Sequence, residues 1–224
     1  MDVLAHPDYD SARRRRAHGR DLKAGELGCL LSHRAVYQHI VAQNMPFALI
    51  LEDDARLAPE TKAVLEALLQ KNIPFDLVRL LGSPKVARKT HRKILKLDGD
   101  FWLVRLLTTP GGAHATLVSQ EGAQKLLTHL KRFAFPIDTI LGRTWETGLN
   151  VYSIQPGLAV QDLSFESAIG EERFNKSIGL SGLPCLRFKL TRALFKLDEM
   201  VGKQWIFYKN LWNDKSLAKK LSFL

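Results

Sequence analysis

Apolar residues along this chain follow two rhythms. From Gly25 to about Gln43, Leu27, Leu30, Leu31, Tyr37, Ile40 and Val41 recur at near-helical spacing, which predicts an amphipathic helix laid on a sheet. Phe47-Ala48-Leu49-Ile50-Leu51 is instead an unbroken apolar run, the pattern of a strand buried on both faces in a parallel sheet. Pro59 suits the first turn of a helix running to about Leu69, and Phe75 to Leu81 reads as a second core strand. Ile94 to Leu97, Asp98-Gly99 and Phe101 to Leu107 predict a hairpin, because Asp-Gly accommodates positive φ at a tight turn. A strand at Ala115 to Val118 leads to Ser119, placed to cap a helix from Gln120 to Leu130. A short helix then begins at Pro136 and stops at Gly148, followed by a strand from Val151 to Ile154. Strand alternating with helix predicts an α/β layered fold with a mainly parallel central sheet. Met1 to Lys23 reads as irregular, and Ser164 to Ser181 as polar and mobile.

The last fifth of the chain has a different texture. Leu186, Leu190, Ala193, Leu194, Leu197 and Val201 repeat at helical spacing, with Arg187, Lys189, Arg192 and Lys196 between them, and Trp205, Phe207, Tyr208 and Trp212 follow. The expected division is therefore a domain at 1–181 and a basic amphipathic helical tail at 182–224. The formal charge is +10, and residues 182–224 supply +6 of it from nine Lys or Arg and three Asp or Glu. Such an excess suits anionic partners. Basic amphipathic helices with interfacial aromatics lie on anionic membranes, so 182–224 is a candidate membrane-surface element; the same stripe also suits packing on the chain's own domain.

The remaining composition narrows the classes. With 46% hydrophobic and 25% charged residues, the chain is of globular rather than disordered type. No apolar run approaches the roughly 18 to 20 residues that span a bilayer, and the N-terminus lacks the apolar core of a secretory signal. Two cysteines, Cys29 and Cys185, make no disulfide framework and favour a reducing compartment. Arg13-Arg14-Arg15-Arg16 reads as a solvated basic arm, with phosphate contact as the alternative. The basic residues occur without a nucleic-acid recognition motif, so no nucleic acid is expected.

Candidate chemistry concentrates where the first apolar strand runs into Glu52-Asp53-Asp54. Adjacent carboxylates at a buried strand end need compensating charge, and a divalent ion supplies it. In extended backbone Glu52 and Asp54 share a face while Asp53 points away. Two carboxylates on one face suit Mn²⁺ or Mg²⁺ completed by water and phosphate oxygens; a solvated turn capping the next helix is the other reading. Gly111-Gly112 would let a sugar or diphosphate approach the backbone closely, and a plain tight turn needs the same residues. Asp138 at a helix start is either a cap or a base.

Three ordered stretches resemble one family. GELGCLLSH with PFALILEDDA, GGAHATLVSQEGAQKLL at Gly111 to Leu127, and PIDTILGRTWETGLNVYSIQPGLAVQD at Pro136 to Asp162 are similar to glycosyltransferase family 25, the bacterial lipopolysaccharide and lipooligosaccharide sugar transferases. Family members usually open with a strand and an Asn-Leu-x-Arg-type segment that helps hold the nucleotide; with a short polar run ahead of Gly25, the expectation from the resemblance is that about one βα unit of this pattern, and its part in base and ribose recognition, is not represented.

The resemblance implies a GT-A-like fold and an inverting transfer of a sugar, galactose by family analogy, from a nucleotide diphosphate donor to a saccharide or glycolipid acceptor. It implies metal at Glu52, Asp53 and Asp54, donor contacts at Gly111, Gly112 and His114, and a base at Asp138 or Asp162, with His114 a more remote candidate for that role. His33 reads as either a donor-site group or a packed helix histidine. The expected location is cytoplasmic, peripheral on the inner membrane. A metal-dependent phosphohydrolase would use the same acidic strand end with water as acceptor. A non-catalytic remnant would keep affinity for anionic glycolipid or membrane through its basic tail.

Overall fold

In the computed structural model, which describes residues 2–82, 84–108, 110–162 and 182–221, the chain begins with α1 (Ser11–His18), α2 (Ala24–Ala42), β1 (Phe47–Leu51), β2 (Ala55–Leu57), α3 (Thr61–Gln70), β3 (Leu77–Arg79) and α4 (Pro84–Ala87). It continues with β4 (His91–Lys96), β5 (Trp102–Leu106), β6 (Ala115–Ser119), α5 (Gln120–His129), α6 (Ile137–Gly142), α7 (Thr144–Thr147), β7 (Val151–Gln155), β8 (Ala159–Gln161), α8 (Gly182–Lys209) and α9 (Leu211–Leu221). The stretch expected to be mobile, Ser164 to Ser181, lies outside the described residues.

The α/β class and the C-terminal helices agree with the expectation; the strand sense does not. Six strands form one sheet in the order β1-β6-β3-β7-β5-β4. Of its five pairings, β3 with β7 is parallel and the other four are antiparallel. A run of apolar residues reports that a strand is covered on both faces, which holds for either direction. The tight turn between β4 and β5 enforces antiparallel pairing, and β6 enters between β1 and β3 from the opposite end. The side-chain period of two then splits the core. Leu77, Val118 and Val151 pack under α2, α5 and α6 with Leu27, Leu30, Leu126 and Ile140. Val78, Leu117 and Tyr152 face the other layer, with Val64 and Leu68 of α3.

β1 also departs from the reading of a doubly buried strand. It is an edge strand whose Ile50 is buried, while Phe47, Leu49 and Leu51 on the other face are 43%, 36% and 44% exposed. Local signals fared better. Ser119 accepts from the Gly122 N–H at 3.0 Å as cap of α5, and Glu26 in the first turn of α2 accepts from the Lys23 N–H at 2.8 Å.

The first twenty residues are more ordered than their composition suggested. Three of the four consecutive arginines, expected in solvent, pair with carboxylates of the protein; Arg14 is buried, while Arg15 and Arg16 remain exposed. Arg13 meets Glu146 at 2.5 Å, Arg14 approaches Glu26 at 3.7 Å, and Arg15 donates to Asp21 at 2.7 Å. Asp10 caps this helix through the Arg13 N–H at 2.9 Å, so the charge run is helical because each of these guanidinium groups has a nearby carboxylate.

α8 is fastened along its inner side. Thr191 Oγ1 donates to Arg16 O at 3.0 Å and Arg192 to Ala17 O at 3.2 Å. Asp198 accepts from buried Arg143 at 2.9 Å, whose guanidinium also stacks over Phe135, Trp145 and Phe195. α9 returns to the hairpin, where Asp214, 1% exposed, binds Arg92 at 2.6 Å and Arg105 at 2.8 Å.

The small β2–β8 ladder joins the main sheet at a crossing of two backbones. A Cβ on Gly157 would lie 2.3 Å from the Gly82 Cα, a distance only glycine allows. Leu81 and Ala159 bridge beside it.

Candidate active site

The acidic triplet does not continue β1 as an extended strand. The Ala55 N–H closes a turn on Glu52 O at 3.1 Å, so the alternation expected for Glu52 and Asp54 is lost and their side chains serve different elements. Glu52 turns toward α2, and Asp54 toward β8. Asp53 is exposed.

Glu52 is the centre of the first group. Its Oε1 lies 3.5 Å from His33 Nε2 and 3.9 Å from Cys29 Sγ. The hydrogen bond from His33 holds the Glu52 carboxyl below its ordinary range against the opposing effect of burial, and the charges of His33 and His114 help. Tyr37 OH, fully buried, is 3.3 Å from His33 Nδ1 and completes a Tyr–His–Glu chain. The Cys29 thiol is pushed up to about 11 by burial first and then by the Glu52 and Asp138 carboxylates. Among the described residues, Cys29, His33 and Glu52 are the three potential metal ligands whose donor atoms lie within 4.8 Å of one another.

Asp54 belongs to a second group at the β2–β8 ladder. Its Oδ2 accepts from Gln161 Nε2 at 2.6 Å, and its backbone oxygen accepts from the Asp162 N–H at 2.8 Å. Asp162 pairs with Arg56. Asp54 Oδ1 is buried and has no protein partner, so one carboxylate oxygen here is available to a ligand.

Arg79, at the C-terminal end of β3, is the residue that sequence reading passed over. It is 0% exposed. Nη2 donates to the carbonyls of Gly112 and, at 3.4 Å, Pro110, while Nε and Nη1 have no partner. Burial pulls its pKa down to about 10, and the fields of Asp138, Tyr37 and Glu52 oppose the shift. A single charge within Leu77-Val78-Arg79-Leu80-Leu81 was the available signal.

The glycine loop lies over this guanidinium. Gly112 sits at φ +93°, a conformation L side chains rarely adopt, and a Cβ there would meet His114 Nδ1 at 3.3 Å. His114 is buried, with Nε2 unpartnered, and its carbonyl accepts from the Glu52 N–H at 3.0 Å.

Asp138 opens α6. Its Oδ1 accepts from the Thr139 N–H at 2.6 Å and lies 3.3 Å from Thr139 Oγ1. Its Oδ2 is 3.9 Å from where a Cβ on Gly111 would sit. Asp138 and Gly111 line a cavity of about 140 Å³ whose far wall includes Glu199 and Lys203 of α8. The fold thus gathers Glu52, His33, Cys29, His114, Arg79, Gly111, Gly112 and Asp138 around β1, β3 and β6, and sets Asp54 with Asp162 on the neighbouring ladder.

A half-buried carboxylate and a buried cation lie under a glycine loop and beside an open cavity, all carried on an α/β sheet. The family model described as glycosyltransferase family 25 (LPS biosynthesis protein) matches residues 3–141, and the chain belongs to that family. It is 28% identical over 155 residues to the human inactive glycosyltransferase 25 family member 3, covering 63% of this chain and 26% of that protein. Procollagen galactosyltransferase 1 of Danio rerio is 29% identical over 136 residues, 55% of this chain and 21% of its own. A glycosyltransferase 25 family member of Aedes aegypti is 35% identical over 115 residues, 49% and 18% respectively. The chain spans about a quarter of the length of the first of these relatives. Because the relatives include both a named galactosyltransferase and a named inactive member, the case for catalysis rests on the residues of the site.

Proposed function

We infer that the chain is a glycosyltransferase that moves a hexose, galactose first among candidates, from a nucleoside diphosphate to a hydroxyl of a lipopolysaccharide-type saccharide, with inversion at the anomeric carbon. The observation that carries this reading is Arg79: a fully buried guanidinium with two unpartnered nitrogens is a costly positive charge beneath the glycine loop, which an anionic ligand bound on that loop would balance. The glycine loop above it leaves room for a diphosphate to reach the backbone.

Asp138 is the base in this reading. With Oδ1 engaged by Thr139, Oδ2 is left for the acceptor. The acceptor oxygen attacks the anomeric carbon and gives its proton to Asp138, while the bond from that carbon to the diphosphate oxygen breaks. The electron pair leaves with the diphosphate, whose added negative charge Arg79 stabilises. Glu52, ionised and held by His33, keeps the charge balance around Arg79.

The unpartnered Oδ1 of Asp54 fits a divalent cation, and Asp54 would hold Mn²⁺ or Mg²⁺ as a hard oxygen donor, with water and the diphosphate completing the shell; Glu52, turned toward α2, stands apart from it. Such an ion supplies further positive charge for the departing diphosphate. Cys29 and His33 make a softer donor set, better suited to Zn²⁺.

Calorimetry with UDP and UDP-galactose, with and without Mn²⁺, tests the assignment together with a transfer assay on saccharide acceptors. Expected are Mn²⁺-dependent donor binding lost in Asp54→Ala, and binding kept but transfer lost by about 10²-fold or more in Asp138→Asn. Hydrolysis of UDP-galactose at full rate without acceptor favours a phosphohydrolase, and a folded chain that binds no nucleotide sugar refutes the transferase.

A further inference from the structure

α8 carries its largest apolar side chains on the outside. Leu186, Leu190, Leu194, Leu197, Val201, Trp205 and Tyr208 are between 52% and 66% exposed, and Trp212 at the start of α9 is 81% exposed. Their spacing is four, four and three residues, repeated. That 11-residue period, about 3.67 per turn, keeps the side chains on one face of a nearly straight helix. From Leu186 to Tyr208 the stripe is about 33 Å long. It is not a core face left uncovered by accident, because the opposite side of α8 already packs through Thr191, Arg192, Asp198 and Gly202 against α1 and α7.

The border of the stripe is cationic. Arg187, Lys189, Lys196 and Lys209 are exposed, and Asp198, the exposed acid on α8, is bound to Arg143. A second copy of the chain laid along this face would bring lysine to lysine with little acid to answer it. A surface of anionic headgroups over acyl chains matches both the charge and the apolar area, with Trp205, Tyr208 and Trp212 at the depth aromatic side chains favour. No described helix is long and apolar enough to cross a membrane.

We propose that α8 is a docking element that lies flat on an anionic bilayer and holds the Asp138 cavity just above the headgroups. The cavity wall follows from the same helix. Glu199 and Lys203 border the Asp138 cavity, and Lys203 also borders an adjoining space of about 340 Å³ with Lys196, Met200 and Gln204, which occupy the helix positions beside the stripe. Lys196, Met200 and Gln204 put the larger space beside the membrane-facing stripe, while Glu199 and Lys203 lie across the helix from it, so docking holds the Asp138 cavity one helix diameter, ~10 Å, from the stripe, within reach of the hydroxyls of a lipid-anchored saccharide. The docking rests on the outer face of α8 and not on the transfer chemistry; the orientation of the cavity toward a glycolipid deepens the function proposed above.

Flotation of the full chain with vesicles of phosphatidylcholine, and of phosphatidylcholine mixed equally with phosphatidylglycerol, tests the docking. The expected result is binding to the anionic vesicles that falls with added salt and is absent from the neutral ones. Trp205→Ser with Trp212→Ser weakens it by about tenfold or more, and Lys189→Gln with Lys209→Gln by roughly 25-fold, about fivefold per charge. All four positions are exposed, and circular dichroism melts of the variants should match the wild type. Asp138→Asn binds vesicles as the wild type does, which separates docking from catalysis. Absence of binding, binding indifferent to these substitutions, or a dimer in solution that the Trp variants dissolve while vesicles go unbound would each overturn the proposal.

Discussion

Asp214→Ala should be among the most damaging single substitutions outside the active site. The carboxylate is 1% exposed and receives three hydrogen bonds: from Arg92 Nη1 at 2.6 Å, Arg105 Nε at 2.8 Å and Arg105 Nη2 at 2.9 Å. Arg105 is itself 3% exposed. It keeps Val151 O and the Asn150 side chain as acceptors at 3.0 Å and the ring of Tyr152 under its guanidinium, but none of these carries a negative charge. Removing the carboxylate leaves a buried cation without a counter-charge, a change that costs about 3–5 kcal/mol. For a domain whose whole stability is about 5–15 kcal/mol, that is a large share. With a urea m-value of about 2–3 kcal/mol/M, the midpoint should fall by about 1–2.5 M at unchanged slope. Asp214→Asn keeps an acceptor without the charge and should lose about half as much. A loss under about 1 kcal/mol for the alanine variant, the range of exposed pairs, would refute the reasoning and mean that water reaches Arg105.

Packing and protonation elsewhere in the molecule can be tested in the same way. Gly202→Ala would place a Cβ 2.5 Å from the Trp145 ring, and overpacking of about 1–3 kcal/mol should appear as a lower melting temperature. His18 meets Phe135 and Phe195 edge to face, and burial with nearby arginines lowers its pKa from 6.5 to about 3. The unfolded chain therefore takes up a proton that the folded one refuses; this contribution to stability is complete above 6.5 and is lost as pH falls toward about 3. Urea midpoints across that range should decline less steeply in His18→Gln than in the wild type.

What the chain disclosed in advance was mostly local. The cap at Ser119, the Asp98-Gly99 turn and the helical period of α2 each depend on residues a few positions apart, and each was legible. The direction of strands was not, because a strand buried on both faces, such as Ala115 to Ser119, reads alike in either sense. The edge position of β1 was hidden for a related reason: Phe47, Leu49 and Leu51 are apolar although one face of the strand is open. At the site, Glu52 and Asp138 stood out as carboxylates at element ends. Arg79 did not, since its significance lies in full burial with Nε and Nη1 left unpartnered, which only three-dimensional packing reveals. The arginine run at residues 13–16 misled in the opposite way, its acidic partners Glu146, Glu26 and Asp21 being scattered through the sequence.

The crossing of Gly82 and Gly157 bears on how this protein can change over generations. A Cβ on Gly157 would displace the Gly82 backbone, and one on Gly82 would crowd the Gly157 carbonyl at 3.1 Å, so neither position has an easy single-step route to another residue. The joint that carries Asp54, Gln161 and Asp162 against the main sheet is thus closed to drift. A library built to retarget the site should hold these two glycines constant and place its diversity on the cavity wall contributed by α8, where Met200 and Gln204 have room to vary.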